Sequence, residues 1–190
     1  MIIEGIVTSR NSGGLLNIAP MGPIVDGDFD RLILRPFQTS TTFQNLSVNR
    51  CGVFHVVDSV DIIALSAIGQ LETLPETFPA REVAGEILKD CCRWFEFRVE
   101  HIDDSDQRSV MNAIVVSRGN QRPFRGFNRA RHAILEVTIA ATRIHILPQD
   151  EILRTFDFFR PAVEKTGDPS DILLFQKLDQ FVRRSGPEAS

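Results

Sequence analysis

Short apolar runs broken by turn residues fill the first 57 positions, and this rhythm leaves room for strands and one short helix. Ile2–Ser9 alternates as a strand, and Arg10-Asn-Ser-Gly-Gly14 reads as a turn. Leu15–Val25 is a second strand interrupted at Pro20, the mark of an edge or bulged segment. Asp26-Gly-Asp-Phe-Asp30 turns the chain into a third strand ending near Pro36. A helix over 40–50 follows, closed by Gly52 in the usual position after a helix C-terminus, and Val53–Val57 returns as a strand. So many short elements with short links indicate a small β-barrel with helices at its ends.

Beyond residue 57 the pattern predicts a helix over 58–70, a loop over 73–79 and a helix over 80–92. Phe95, Phe97, Val99 and His101 alternate with charged residues as a half-wet strand. Val110–Val116 pairs back across an Asp103–Asp106 turn. An arginine-rich loop spans 118–127, and a helix with one apolar face runs from Asn128 until Pro148 stops it. The tail predicts two helices, 149–164 broken by Pro161 and 171–184, with the last five residues frayed. The expected division is a barrel with connecting helices over 1–147 and a helical subdomain over 148–190.

Composition narrows the class without choosing a function. The chain is 43% hydrophobic and 24% charged with net charge −4, so bulk electrostatics do not point to nucleic acid. Three cysteines, two of them adjacent, form no CxxC pattern and no paired framework. With no signal sequence and no apolar stretch near ~20 residues, the expectation is a protein of the reducing cytoplasm, away from membranes. Dinucleotide, P-loop and nucleophile-elbow fingerprints are absent. The four scattered histidines suggest packed or solvated residues and no metal site.

Three segments remain unusual as a set. Thr39-Ser-Thr-Thr42 opens the short helix, with Arg35 upstream and Asn45 and Asn49 downstream. Hydroxyls and a cation at a helix N-terminus suit a phosphate monoester, and they also suit an ordinary N-cap. Asn17-Ile-Ala-Pro-Met-Gly22 could approach a flat ring closely, or be a bulged edge strand. Arg125-Gly-Phe-Asn-Arg-Ala130 has three readings: a single-strand nucleic-acid contact, a solvated loop with a helix cap, or an arginine source for a bound anion across a dimer interface.

On these segments the chain resembles the flavin-reductase-like FMN-binding split barrels, nearest to a largely uncharacterised archaeal and bacterial branch with a helical tail. The matching residues are Val7-Thr8 with Asn17-x-Ala19-Pro20-Met21-Gly22, Leu34-Arg35-Pro36-Phe37 with Ser40-x-Thr42-x-x-Asn45-Leu46, and Arg125-Gly-Phe-Asn-Arg-Ala-x-His-Ala with Glu136 and Ala141-Thr-Arg143. The similarity spans nearly the whole chain. It implies an α+β fold, a split β-barrel with a C-terminal helical extension, and a homodimer holding FMN near the interface. It implies that Ser40, Thr41, Thr42 and Asn45 hold the phosphate with Arg35 near. Thr8, Asn17, Ala19, Pro20 and Met21 would line the flavin. Arg125, Asn128 and Arg129 would complete the pocket, from the partner subunit in one version. It further implies an oxidoreductase working on a small molecule, a pterin among the candidates, with NADH or NADPH as possible donor. A non-catalytic FMN binder is the alternative. No residue stands out as an acid or base.

Overall fold

The structure, a computed structural model, describes residues 1–185; the expected fraying of 186–190 lies outside them. The described chain divides into two compact units, Met1–Asp58 with Thr73–Phe124, and Ser59–Glu72 with Arg125 onward. This differs from a division at 147. The reason is the helix over 129–141, whose apolar face packs with the helices of the tail.

In the first unit, β1 (Gly5–Arg10), β2 (Leu16–Met21), β3 (Ile24–Val25), β4 (Arg31–Leu34), β5 (Cys51–Val56), β8 (Arg93–Asp103) and β9 (Val110–Asn120) form one sheet. Its order is β2-β1-β5-β8-β9-β4-β3, and every pairing is antiparallel. The residues just before β1 pair with β3. Ile2 bridges Ile24, Ile3 N–H donates to Pro23 at 3.2 Å, and Val25 N–H donates to Met1 at 2.8 Å. The sheet therefore curls until β3 meets the residues before β1 along a three-residue seam, and β2 is left outside it as an edge. That is a split barrel. Pro20 sits in this edge strand, opposite Ile6, where its missing N–H is tolerated.

Alternation fills the interior. Val7, Leu32, Leu34, Leu46, Phe54, Phe95, Phe97 and Met111 are fully buried in one cluster. Close strand contact sets two glycines. A Cβ on Gly52 would lie 2.8 Å from the Thr8 carbonyl oxygen, and one on Gly119 would lie 2.4 Å from the ring of Trp94. Gly52 is thus a packing residue. The left-handed position after α1 (Thr41–Asn49) belongs to Arg50, φ 54°.

Residues 80–92 do not form the expected helix. They make a turn and then β7 (Glu86–Leu88), paired with β6 (Thr77–Pro79). The cause is distant in sequence: the buried carboxylate of Glu96 accepts from the backbone N–H groups of Arg81, Glu82 and Val83 at 3.1, 2.7 and 3.1 Å. Three donors pointing at one anion fix a turn that helical hydrogen bonding would not allow. Near the two points where the chain leaves this unit, Arg122 forms a bidentate pair with Asp58, at 2.9 and 2.6 Å, and also meets Asp90. These carboxylates raise the guanidinium pKa further, the Asp58 hydrogen bonds most.

The second unit is helical: α2 (Val60–Ala67), α3 (Arg129–Ala141), α4 (Gln149–Thr166) and α5 (Pro169–Arg184). Ala133, Ile134, Val137, Phe156 and Leu178 are fully buried among them. α4 runs continuously through Pro161 and does not break there. Asp168 caps α5 through a reciprocal capping box with Asp171.

His55 joins three strands of the first unit. Its Nδ1–H faces the Ile6 carbonyl at 3.2 Å, and its Nε2 accepts from Leu88 N–H at 3.1 Å, so the neutral ring satisfies both. Burial lowers its pKa from 6.5 to about 4. In the unfolded chain the imidazole takes up its proton near 6.5; in the fold it does so only near 4. Stability from this group is therefore full above 6.5 and falls as pH drops towards 4. We expect unfolding free energy, measured by urea titration at about pH 7.5 and about pH 4.5, to fall by roughly 2–3 kcal/mol more in the wild type than in His55→Gln.

Candidate functional site

The link between β4 and α1 is pinned by the turn that joins β8 to β9. Ser109 donates to the Pro36 carbonyl through both N–H and Oγ, at 3.1 and 3.0 Å. Arg108 Nε donates to the Arg35 carbonyl at 2.9 Å, and its guanidinium stacks 5.3 Å from the Phe37 ring. Gln38 Nε2 donates to the carbonyls of Asp104 and Asp106 at 2.6 and 2.7 Å. The tip of the β8–β9 hairpin thus sets where α1 begins.

Ser40 is the N-cap of α1. Its Oγ accepts from Phe43 N–H at 3.1 Å and donates to the Phe37 carbonyl at 2.7 Å, so the capping role is real and engages the hydroxyl on both sides. The backbone N–H groups of Thr41 and Thr42 find no acceptor among the described residues. Thr41 is exposed. Arg35 Nε is buried with no hydrogen-bond partner. Two free N–H groups, the positive end of a helix, an exposed hydroxyl and an orphaned arginine donor suit an oxyanion such as a phosphate monoester.

Behind this N-terminus lies a polar network between β1, β2 and α1. Asn17 Nδ2 donates to Thr42 Oγ1 at 3.1 Å and to Ser9 Oγ at 3.4 Å; Asn45 Nδ2 donates to Ser9 Oγ at 3.1 Å. Thr42, Asn45 and Ser9 are all buried. Asn49 Nδ2 donates to the Arg10 carbonyl at 2.6 Å, adding a third tie along the same face of α1. Ser9 is the residue sequence reasoning misses: a lone serine ending a strand carries no motif, and only its register opposite Asn17 reveals it.

The other sequence-predicted residues divide. Ala19, Pro20 and Met21 are half-buried on the edge strand, opposite Val7, Ile6 and Gly5. Thr8 is fully buried and donates to the Glu86 carbonyl at 2.6 Å, so its hydroxyl serves the fold. Arg125, Asn128 and Arg129 belong to the second unit. Asn128 is the N-cap of α3, accepting from Arg131 N–H at 3.1 Å and donating to the Thr166 carbonyl at 3.0 Å. Arg125 and Arg129 are exposed. A hollow of about 290 Å³ at the other end of α1, lined by Asn49, Arg50, Cys51 and Arg98 among others, includes none of the predicted ligand residues.

Arg118 pairs with Asp30, Arg122 with Asp58 and Asp90, and Arg131 with Asp168 and Asp171, so much of the basic run is already neutralised within the chain. No cluster of three or more His, Cys, Asp or Glu among the described residues could hold a metal ion. None of the described helices is long and apolar enough to cross a membrane. Cys51, Cys91 and Cys92 are free thiols; burial pushes Cys91 up to about 12.

The family described as protein of unknown function (DUF447) matches the chain in two parts, its N-terminal domain over residues 3–122 and a second region over 128–180. Among curated proteins no sequence matches. Among solved structures, an FMN-bound protein of the same family from Methanosarcina mazei has a TM-score of 0.77 at 22% identity, covering 97% of this chain and 94% of that one. Flavoredoxin from Methanosarcina acetivorans has a TM-score of 0.54 at 13% identity, over 65% of this chain and 74% of that one. The 2-nitrobenzoate 2-nitroreductase of Pseudomonas fluorescens has a TM-score of 0.52 at 19% identity, over 62% and 64%. These likenesses show a shared split-barrel fold.

The network predicts a stability effect centred on Ser9. Ser9→Ala removes one acceptor from the buried amide of Asn45 and the half-buried amide of Asn17 and should cost about 1–3 kcal/mol by urea unfolding. A change within error would show that the two asparagines find other acceptors.

Proposed function

Because this chain belongs to the DUF447 family, we propose that it is an FMN-binding protein and that it works as a flavin-dependent oxidoreductase on a small molecule. The observation that carries the reading is the open N-terminus of α1, with two backbone N–H groups unpaired among the described residues and, five residues before the cap, the orphaned donor of Arg35. In this reading Thr41, Thr42 and Arg35 hold the phosphate. Ser40 and Asn45 keep the helix end in place, and Ala19–Met21 of the edge strand flank the isoalloxazine. When bound, FMN supplies hydride and electron transfer. The chain's own residues bind, orient and exclude water.

Support for the cofactor comes from two directions. The donor set suits a phosphate ester, and the family relative from Methanosarcina mazei is FMN-bound. Support for redox chemistry comes from the nitroreductase and flavoredoxin names among the fold neighbours. We place Arg125 and Arg129 at the same site from a partner subunit of a homodimer, since both are exposed and cationic. A nicotinamide donor and a pterin substrate belong to this proposal through the sequence resemblance. The rival reading, a non-catalytic FMN carrier, is separated by anaerobic mixing with NADH or NADPH: bleaching of bound flavin within turnover time excludes the carrier.

Arg35→Ala should weaken FMN binding by about 1.5–3 kcal/mol, the range for a lost hydrogen bond to a charged group, without shifting the urea midpoint. Ser40→Ala should cost about 1 kcal/mol of stability as a lost N-cap. Titration of added FMN by flavin fluorescence reads the first. A wild-type protein that takes up no FMN at micromolar concentration ends the proposal, and unchanged affinity in Arg35→Ala moves the phosphate elsewhere.

A further inference from the structure

The hollow of about 290 Å³ past the C-terminal end of α1 lies on the outer side of the barrel wall. Cys51 and Arg98 are register partners there, while in the next pair, Gly52 and Phe97, the phenyl ring turns into the core. The turn that Glu96 holds, residues 81–83, stands in front of this outer face, and Arg98 Nη2 donates to the Glu82 carbonyl at 2.7 Å. Turn and wall are thus tied, which fixes the shape of the hollow between them.

Two guanidinium groups line it, those of Arg50 and Arg98. Arg10, Arg118 and Arg122 each pair with an acidic side chain, but Arg50 and Arg98 pair with none among the described residues. Arg50 also holds the left-handed position after α1, φ 54°, which glycine or asparagine takes more readily. An arginine kept where its backbone is disfavoured points to a use for its side chain. The local charge is modest. Glu82 sets one carboxylate against the two cations, and the C-terminal end of α1 adds about half a negative charge. The small positive excess that remains suits a monoanion better than a dianionic phosphate. Val83, Ala84 and Val99, small apolar residues, complete the lining, and the volume is close to the ~300 Å³ at which ligand pockets begin.

We propose that this hollow is a second binding site, for a small monocarboxylate with an apolar body. Arg50 and Arg98 hold its carboxylate, and Val83, Ala84 and Val99 flank its carbon skeleton. A guanidinium fork matches the two oxygens of a carboxylate. The nine residues of α1, about 13 Å, separate this site from the open helix N-terminus, so it does not rest on the flavin reading.

The probe is benzoate. Benzamide serves as its uncharged counterpart and inorganic phosphate as an anion without a carbon body, each titrated by calorimetry. Benzoate should bind at about millimolar concentration or below, and about tenfold more tightly than either control. Arg50→Gly suits the left-handed backbone, so it should keep or raise the urea midpoint while weakening benzoate binding about tenfold. Arg98→Gln should weaken it likewise, with circular dichroism confirming the fold. Benzoate affinity unchanged in both variants overturns the proposal, since the acid then sits elsewhere. So does a wild type that takes up no benzoate, or one that binds benzamide or phosphate as tightly.

Discussion

Strand β1 and the residues before it carry three pairings, and the rest of the first unit hangs on them. Gly5–Arg10 pairs with β2 on one side and β5 on the other, while residues 1–3 close the seam on β3. A closed barrel has no edge; this one excludes β2 from closure and so keeps a single strand half-covered beside α1. The register Ser9↔Asn17 then places both side chains towards the helix. A slip by one residue would turn Asn17 to the opposite face and dismantle the polar network, because side chains alternate along a strand.

Much of this barrel could be read in the sequence because its signals are local. The turns at Arg10–Gly14 and Asp26–Asp30, the proline-marked edge strand and the short helix after Pro36 depend on neighbouring residues. Residues 80–92 went the other way. Val83, Ile87, Leu88 and Cys91 have helical spacing, yet Glu96, across a strand, claims the N–H groups a helix would need. Pro161 misled in the opposite sense: a proline inside a helix is tolerated where packing supports the turn, and α4 has Phe156 and Val163 buried on either side of it.

The candidate site shows the same split between local and distant cause. Residues 40–42 announce a helix start by composition, and that part was legible. What the hydroxyls do was not. Ser40 serves the cap, Thr42 is committed to Asn17, and the groups left open are backbone N–H groups that no side-chain pattern encodes. The arginine-rich run is a parallel case. Counted as residues it looks like a basic surface; in three dimensions aspartates from distant segments meet three of its members.

The close approach of Trp94 to Gly119 has an optical consequence. The chain has one tryptophan and no tyrosine, and Trp94 lies 8% exposed in the barrel unit. Emission excited beyond the phenylalanine band therefore comes from the barrel alone, and the helical unit is dark at those wavelengths. Fluorescence and far-ultraviolet circular dichroism would then follow different parts of one molecule, and any gap between their transitions would measure how independently the two units unfold.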